Sequence, residues 1–88
     1  VVGFGLIGGS MGLAIKKYTS HNVYAFDIDP EVRKYVTENN MCDGVFSPND
    51  KMLKECDIVF IGLYPYKTVE FINENIDNFQ LNHFQEIL

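Results

Sequence analysis

The stretch VVGFGLIGGSMG, Val1 to Gly12, sets five glycines and a serine into an otherwise apolar segment. Two arrangements would use such a pattern: an apolar helix in a membrane, or a strand that turns sharply into a helix around a phosphate. Gly8 and Gly12 have the G-x-x-x-G spacing of paired membrane helices. The apolar run ends at Lys16-Lys17, however, after 15 residues, short of the roughly 18 that a spanning helix needs. No basic region precedes it and no small-residue cleavage pattern follows, so a signal peptide is not supported either. The phosphate turn is therefore the working reading.

Gly3-Phe4-Gly5-Leu6-Ile7-Gly8 fits G-x-G-x-x-G, with β-branched Val1-Val2 before it and a helical pattern to about Tyr18 after it. In that setting Gly3 serves the tight turn, Gly5 the close approach of a pyrophosphate, and Gly8 the packing of helix on strand. A helix starting here points free N–H groups and its positive dipole end at an anion. Leu6, Ile7, Met11, Leu13, Ala14 and Ile15 predict a helix buried over much of its surface. Ser10, in its first turn, either donates to a phosphate or is a small residue suited to packing.

Val23-Tyr24-Ala25-Phe26 reads as the next strand, and Asp27 ends it nineteen residues beyond Gly8. There a carboxylate can accept hydrogen bonds from the adenosine ribose hydroxyls and repel a 2′-phosphate, which favours NAD over NADP. A solvated turn residue is the other reading of Asp27. Asp29-Pro30-Glu31 is a helix start: Asp29 caps backbone N–H groups, and Pro30 suits a first helical position that needs no donor. That helix is expected to end near Asn39. A brief strand at Val45-Phe46 and a short helix to Lys54, capped by Asn49 or Asp50, should follow.

The nearly continuous apolar run Asp57 to Leu63 predicts a central strand buried on both faces. Leu63, Tyr64 and Pro65 come at its carboxyl end, where ligands of open α/β sheets bind. Their backbone would line a cofactor trench, though a strand-to-helix turn explains Pro65 as well. Val69, Ile72, Ile76 and Phe79 then recur at helical spacing, giving a helix from Lys67 to about Asn78. Alternating strands and helices imply right-handed crossovers. The fold class is thus α/β: a partial Rossmann-type, doubly wound parallel sheet of order 3-2-1-4, with its second half missing. Residues 1–79 form one dinucleotide-binding domain, followed by a divergent tail at 80–88.

Composition narrows the function. The 88 residues carry a net charge of −5 and are 47 % hydrophobic, an ordinary globular balance without the basic footprint of a nucleic-acid binder. Cys42 and Cys56 make no C-x-x-C pair and have no histidines at ligand spacing, so no metal site is expected, and reduced cysteines fit a cytoplasmic setting. His21 precedes a strand and so belongs to the sheet edge opposite the cofactor. His83 lies in the tail, and the scattered glutamates read as solvated faces. No catalytic residue is assigned. The chain starts at Val1 without a methionine, and the expectation is that residues precede it.

Gly-Leu-Ile-Gly-Gly-Ser at residues 5–10, Asp27-Ile28-Asp29-Pro30, and the Asp57-Ile58-Val59 strand leading to Pro65 together resemble the amino-terminal domain of prephenate dehydrogenases, including their arogenate-using relatives. The resemblance spans residues 1 to about 79. It implies NAD-dependent oxidative decarboxylation of prephenate to 4-hydroxyphenylpyruvate in tyrosine biosynthesis, with Gly3, Phe4, Gly5, Leu6, Ile7, Gly8 and Asp27 at the cofactor. It also implies a Gly-Ser-His-Pro segment whose histidine bonds the substrate hydroxyl, and a dimerising helical domain that supplies an arginine. Residues 80–88 read Gln-Leu-Asn-His-Phe-Gln-Glu-Ile-Leu instead. This chain alone is therefore expected to bind cofactor at best. Prephenate and the homodimer belong to a longer protein. Another NAD-linked reductase, a β-hydroxyacid dehydrogenase, or a non-catalytic dinucleotide-binding module shares the same turn. A stripe of Leu81, Phe84, Ile87 and Leu88 is expected to cover the open sheet edge.

Overall fold

The computed structural model describes residues 1–79; the stripe expected at 81–88 lies outside them. The described residues form a small α/β protein with three α-helices, two 3₁₀ helices and a two-stranded parallel sheet. Helix α1 (Leu6–Tyr18) leads to strand β1 (Tyr24–Phe26), helix α2 (Pro30–Glu38) to strand β2 (Gly44–Phe46), and a 3₁₀ helix (Lys51–Glu55) precedes helix α3 (Pro65–Glu74). A second 3₁₀ helix, Ile76–Asn78, ends the described part.

β1 and β2 pair in parallel with Phe26 opposite Phe46. On the other side of β1, Val2 bridges both Phe26 and Ile61, again in parallel. Hydrogen bonds fix this register: Phe26 N–H to Val1 O and Gly3 N–H to Phe26 O, each 2.8 Å, then Val2 N–H to Phe60 O and Gly62 N–H to Val2 O, also 2.8 Å. A row of parallel pairings thus runs Phe46, Phe26, Val2, Ile61.

Alternation along β1 sends neighbouring side chains to opposite faces. Ala25 packs with Phe4 and Val36 on one face, while Phe26 joins Val2, Leu53, Val59 and Phe71 on the other. Phe26 stacks on Phe46 with ring centroids 5.5 Å apart. Asn75 is buried under the second cluster with its amide satisfied: Nδ2 donates to Asn49 Oδ1 at 2.8 Å and Phe71 O at 3.0 Å.

The start of α2 follows its sequence signals, with Pro30 in the first turn and Asp29 Oδ1 accepting from Glu31 N–H at 2.9 Å. Asn40, at φ 50°, takes the left-handed conformation that stops this helix. Asp50, rather than Asn49, caps the following 3₁₀ helix through Met52 N–H.

Two expectations need correction. α1 is not buried over its large apolar residues: Leu6 is 89 % and Ile7 79 % exposed, and its buried residues are Gly8, Gly9 and Gly12. The glycines bring the helix so close to the sheet that bulkier side chains must turn outward. The run Asp57 to Leu63 is not a continuous strand buried on both faces. Val59 is buried, Ile58 is 52 % exposed, and the pairing with Val2 is an isolated bridge at Ile61. Its neighbour Val2 is followed at once by Gly3, where the chain leaves the sheet for α1, so the shared ladder is short.

Asp43 ties α1 to the entry of β1, accepting from Lys16 Nζ and from Val23 N–H, both at 2.7 Å. The Lys16 hydrogen bond first, and the Val23 bond second, hold its carboxyl below the usual aspartate range. A depressed folded-state pKa means that this stabilisation is complete above the ordinary aspartate value and is lost as pH falls through the folded one. Asp43→Asn should therefore lower the melting temperature at pH 7, and the gap from the parent should shrink below about pH 4. Thermal melts across that range check this.

Candidate functional site

The glycine turn is built by exclusion of side chains. Gly3 has φ 82°, a left-handed conformation that costs other residues strain, and a Cβ there would lie 2.8 Å from Gly62 O. A Cβ on Gly8 would lie 1.9 Å from the Gly3 carbonyl oxygen, so only glycine lets α1 start where it does. Gly5 differs from both. It is exposed, it N-caps α1 in an extended conformation that any residue adopts, and a Cβ there would meet nothing within 4 Å. No side chain caps the α1 N-terminus.

Asp27 stands directly against this turn. Its Oδ2 accepts from Phe4 N–H at 2.8 Å, and its Oδ1 accepts from Asp29 N–H at 2.9 Å. It is therefore more than a solvated turn residue: it pins the glycine turn to the end of β1 across 23 positions of sequence. A carboxylate offers about four acceptor positions, so roughly two remain for other donors.

The remaining predicted residues are placed unevenly. Phe4 is buried, its ring packed beside Gly9 and Gly12 of α1, while Leu6 and Ile7 point into solvent. The Ser10 hydroxyl donates to Leu6 O at 2.8 Å, so in this structure it closes its own helix turn instead of facing the glycine turn. Leu63 reaches the glycines: its Cδ2 would lie 2.8 Å from a Cβ on Gly3. Tyr64 N-caps α3 and Pro65 opens it, so the strand-to-helix reading of Pro65 describes its local role.

No family model, no curated protein and no solved structure matches this chain.

Two features went unread in the sequence. Arg33 Nη1 donates to Asp27 O at 2.7 Å and Ile28 O at 3.1 Å, clamping α2 to the turn that carries Asp27. Its first-turn position on the helix after an acidic strand end was the available signal. Second, α1 and α2 flank an apolar groove of about 410 Å³ lined by Phe4, Leu6, Leu13, Val32 and Tyr35. His21 lies elsewhere, lining a separate cavity with Val1, Glu55 and Asp57.

Among the described residues no group of three or more His, Cys, Asp or Glu is disposed to hold a metal ion, and no helix is long and apolar enough to cross a membrane. Burial is the main cause that raises the thiol pKa of both Cys42 and Cys56, which disfavours the reactive thiolate.

The glycines should separate by stability. Gly8→Ala is expected to destabilise by at least about 2 kcal/mol through overpacking. Gly5→Ala should stay within about 0.5 kcal/mol of the parent. Asp27→Ala should cost about 1–3 kcal/mol, because it leaves Phe4 N–H without its acceptor. Urea unfolding of the three variants measures all of these differences.

Proposed function

We propose that this chain is the cofactor-binding part of an NAD-dependent dehydrogenase, with prephenate as the substrate of the longer protein. The observation that carries the dinucleotide reading is the division within Gly3–Gly8: two glycines closed by backbone, and Gly5 open to solvent in front of an uncapped helix N-terminus. That is the space a pyrophosphate needs, and the residues present fit the cofactor. The row of parallel pairings through Phe46, Phe26, Val2 and Ile61 supports the same reading. It supports the order 3-2-1-4 of a partial Rossmann-type, doubly wound sheet, a fold whose ligands sit at the carboxyl edge.

Bound NAD supplies an electrophilic ring that accepts a hydride. The chain's own residues bind and orient it. Gly5 leaves room for the diphosphate, and the free N–H groups of the first α1 turn donate to it with the helix dipole behind them. Asp27 keeps its backbone bonds and offers its remaining acceptor positions to the ribose hydroxyls. Its charge opposes a 2′-phosphate, and Arg33 Nη1 is committed to backbone carbonyls on that turn. Prephenate itself rests on the motif resemblance at residues 5–10, 27–30 and 57–65, and the dinucleotide half rests on geometry.

Calorimetric titration of the folded chain should give binding to NAD in preference to NADP. Gly5→Val, which fills the open space without a backbone clash, should fold like the parent and lose binding. A folded parent chain that binds neither dinucleotide would sink the reading. The chain alone should produce no NADH from prephenate and NAD.

A further inference from the structure

Helices α1 and α2 both run back along a parallel sheet, so they start at the same end and flank their shared groove in the same direction. Leu6, Ser10 and Leu13 of α1 line it, facing Glu31, Val32 and Tyr35 of α2. Leu6, Ser10, Leu13 and Lys17 fall at i, i+4, i+7 and i+11 on one helix face, so this row runs about 16 Å from the first turn of α1 to Lys17. The groove thus has a carboxylate where both helices begin, an ammonium beyond its other end, and apolar side chains between.

That apolar stretch stands open. Tyr35 is 62 % and Leu13 43 % exposed inside the groove beside Leu6, and Ile7 and Met11 extend the patch over the outer flank of α1. A patch of this kind, rimmed by charge, marks a surface of association. Ser10 and Ala14, small and exposed between the larger side chains, let another helix come close. The Ser10 hydroxyl already donates to Leu6 O at 2.8 Å, so covering it leaves no donor unpaired.

Charge selects the occupant. Lys16 is bound to Asp43, whereas Lys17 and Glu31 are both exposed, and neither has an ion-pair partner among the described residues. The Lys17 Nζ stands 5.3 Å from the centre of the Tyr18 ring. A uniformly acidic or basic partner would match only one end of the groove. A second copy, turned end for end about a two-fold axis across the groove, brings its Glu31 to Lys17 and its Lys17 to Glu31, and lays its apolar stretch on the same stretch. The dipoles of the two α1 helices then run in opposite directions.

We propose that the α1–α2 groove is a self-complementary interface, in which two copies of this chain pack α1 against α1 in antiparallel and cross-pair Lys17 with Glu31. This surface is distinct from the dimerising helical domain that the resemblance implies, and it needs no cofactor.

The test is sedimentation equilibrium on the full chain from micromolar to millimolar concentration. The parent should reach a dimer and stop there. Lys17→Glu and Glu31→Lys should each weaken it roughly tenfold, because each change turns two attractive pairs into repulsive ones. The double variant Lys17→Glu/Glu31→Lys should return to the parent affinity. Leu13→Glu, which puts a charge into the apolar centre, should leave monomer. All three positions are exposed, so thermal melts should show every variant folded. A parent chain that stays monomeric at millimolar concentration would overturn the interface. So would a dimer that survives Leu13→Glu, one that the paired charge swap fails to restore, or association that continues past two copies.

Discussion

The structure depends on how closely α1 approaches the backbone it has just left. At Gly8 no side chain of any size fits between the helix and the Gly3 carbonyl. This contact sets the position of the helix, and the helix sets the rest of that face. Phe4 fills the space beside Gly9 and Gly12, Ala25 and Val36 close around it, and Leu6 and Ile7 are displaced into solvent. Gly3 makes the same approach possible from below, since its left-handed backbone lets the chain reverse direction within one residue of the Val2 bridges.

Asp27 shows how one group serves both fold and candidate site. Its carboxylate holds the glycine turn through Phe4 N–H and its own following turn through Asp29 N–H, while Arg33 holds the carbonyl side of that turn. The anion is thereby oriented before any ligand arrives. In the proposed dinucleotide reading, cofactor preference and local stability pass through the same side chain. Gly5, where a Cβ would meet nothing within 4 Å, carries no such structural load and separates the proposed binding from folding more cleanly.

Both sheet faces are covered, but by different means. Against α1 and α2 the packing is close, with Phe4, Ala25 and Val36 buried together; on the opposite face it is aromatic, with Phe26 against Phe46 and Phe71 against Phe79. The single-residue alternation of β1 explains why Ala25 and Phe26 differ so much in volume yet are both fully buried. The Ala25 side serves a helix pressed onto the backbone, and the Phe26 side is closed by Leu53 of the first 3₁₀ helix and Phe71 of α3.

The sequence by itself determined the local punctuation: the glycine turn, the Asp29-Pro30 helix start, a cap at Asn49 or Asp50, the short β strands and the α/β alternation. Those signals are local because each arises from one residue's backbone preference or from a hydrogen bond within a few positions. It also singled out Asp27, through its distance from the glycines, without disclosing the bond to Phe4 N–H. Tertiary structure alone decided which face of α1 is buried, since hydrophobicity named the leucines and isoleucines while steric approach chose the glycines. It likewise decided the isolated bridge at Ile61 and the parallel stacking of the Tyr64 and Tyr66 rings. The first depends on how far a neighbouring segment extends, and the second on ring orientation, and neither is encoded in periodicity.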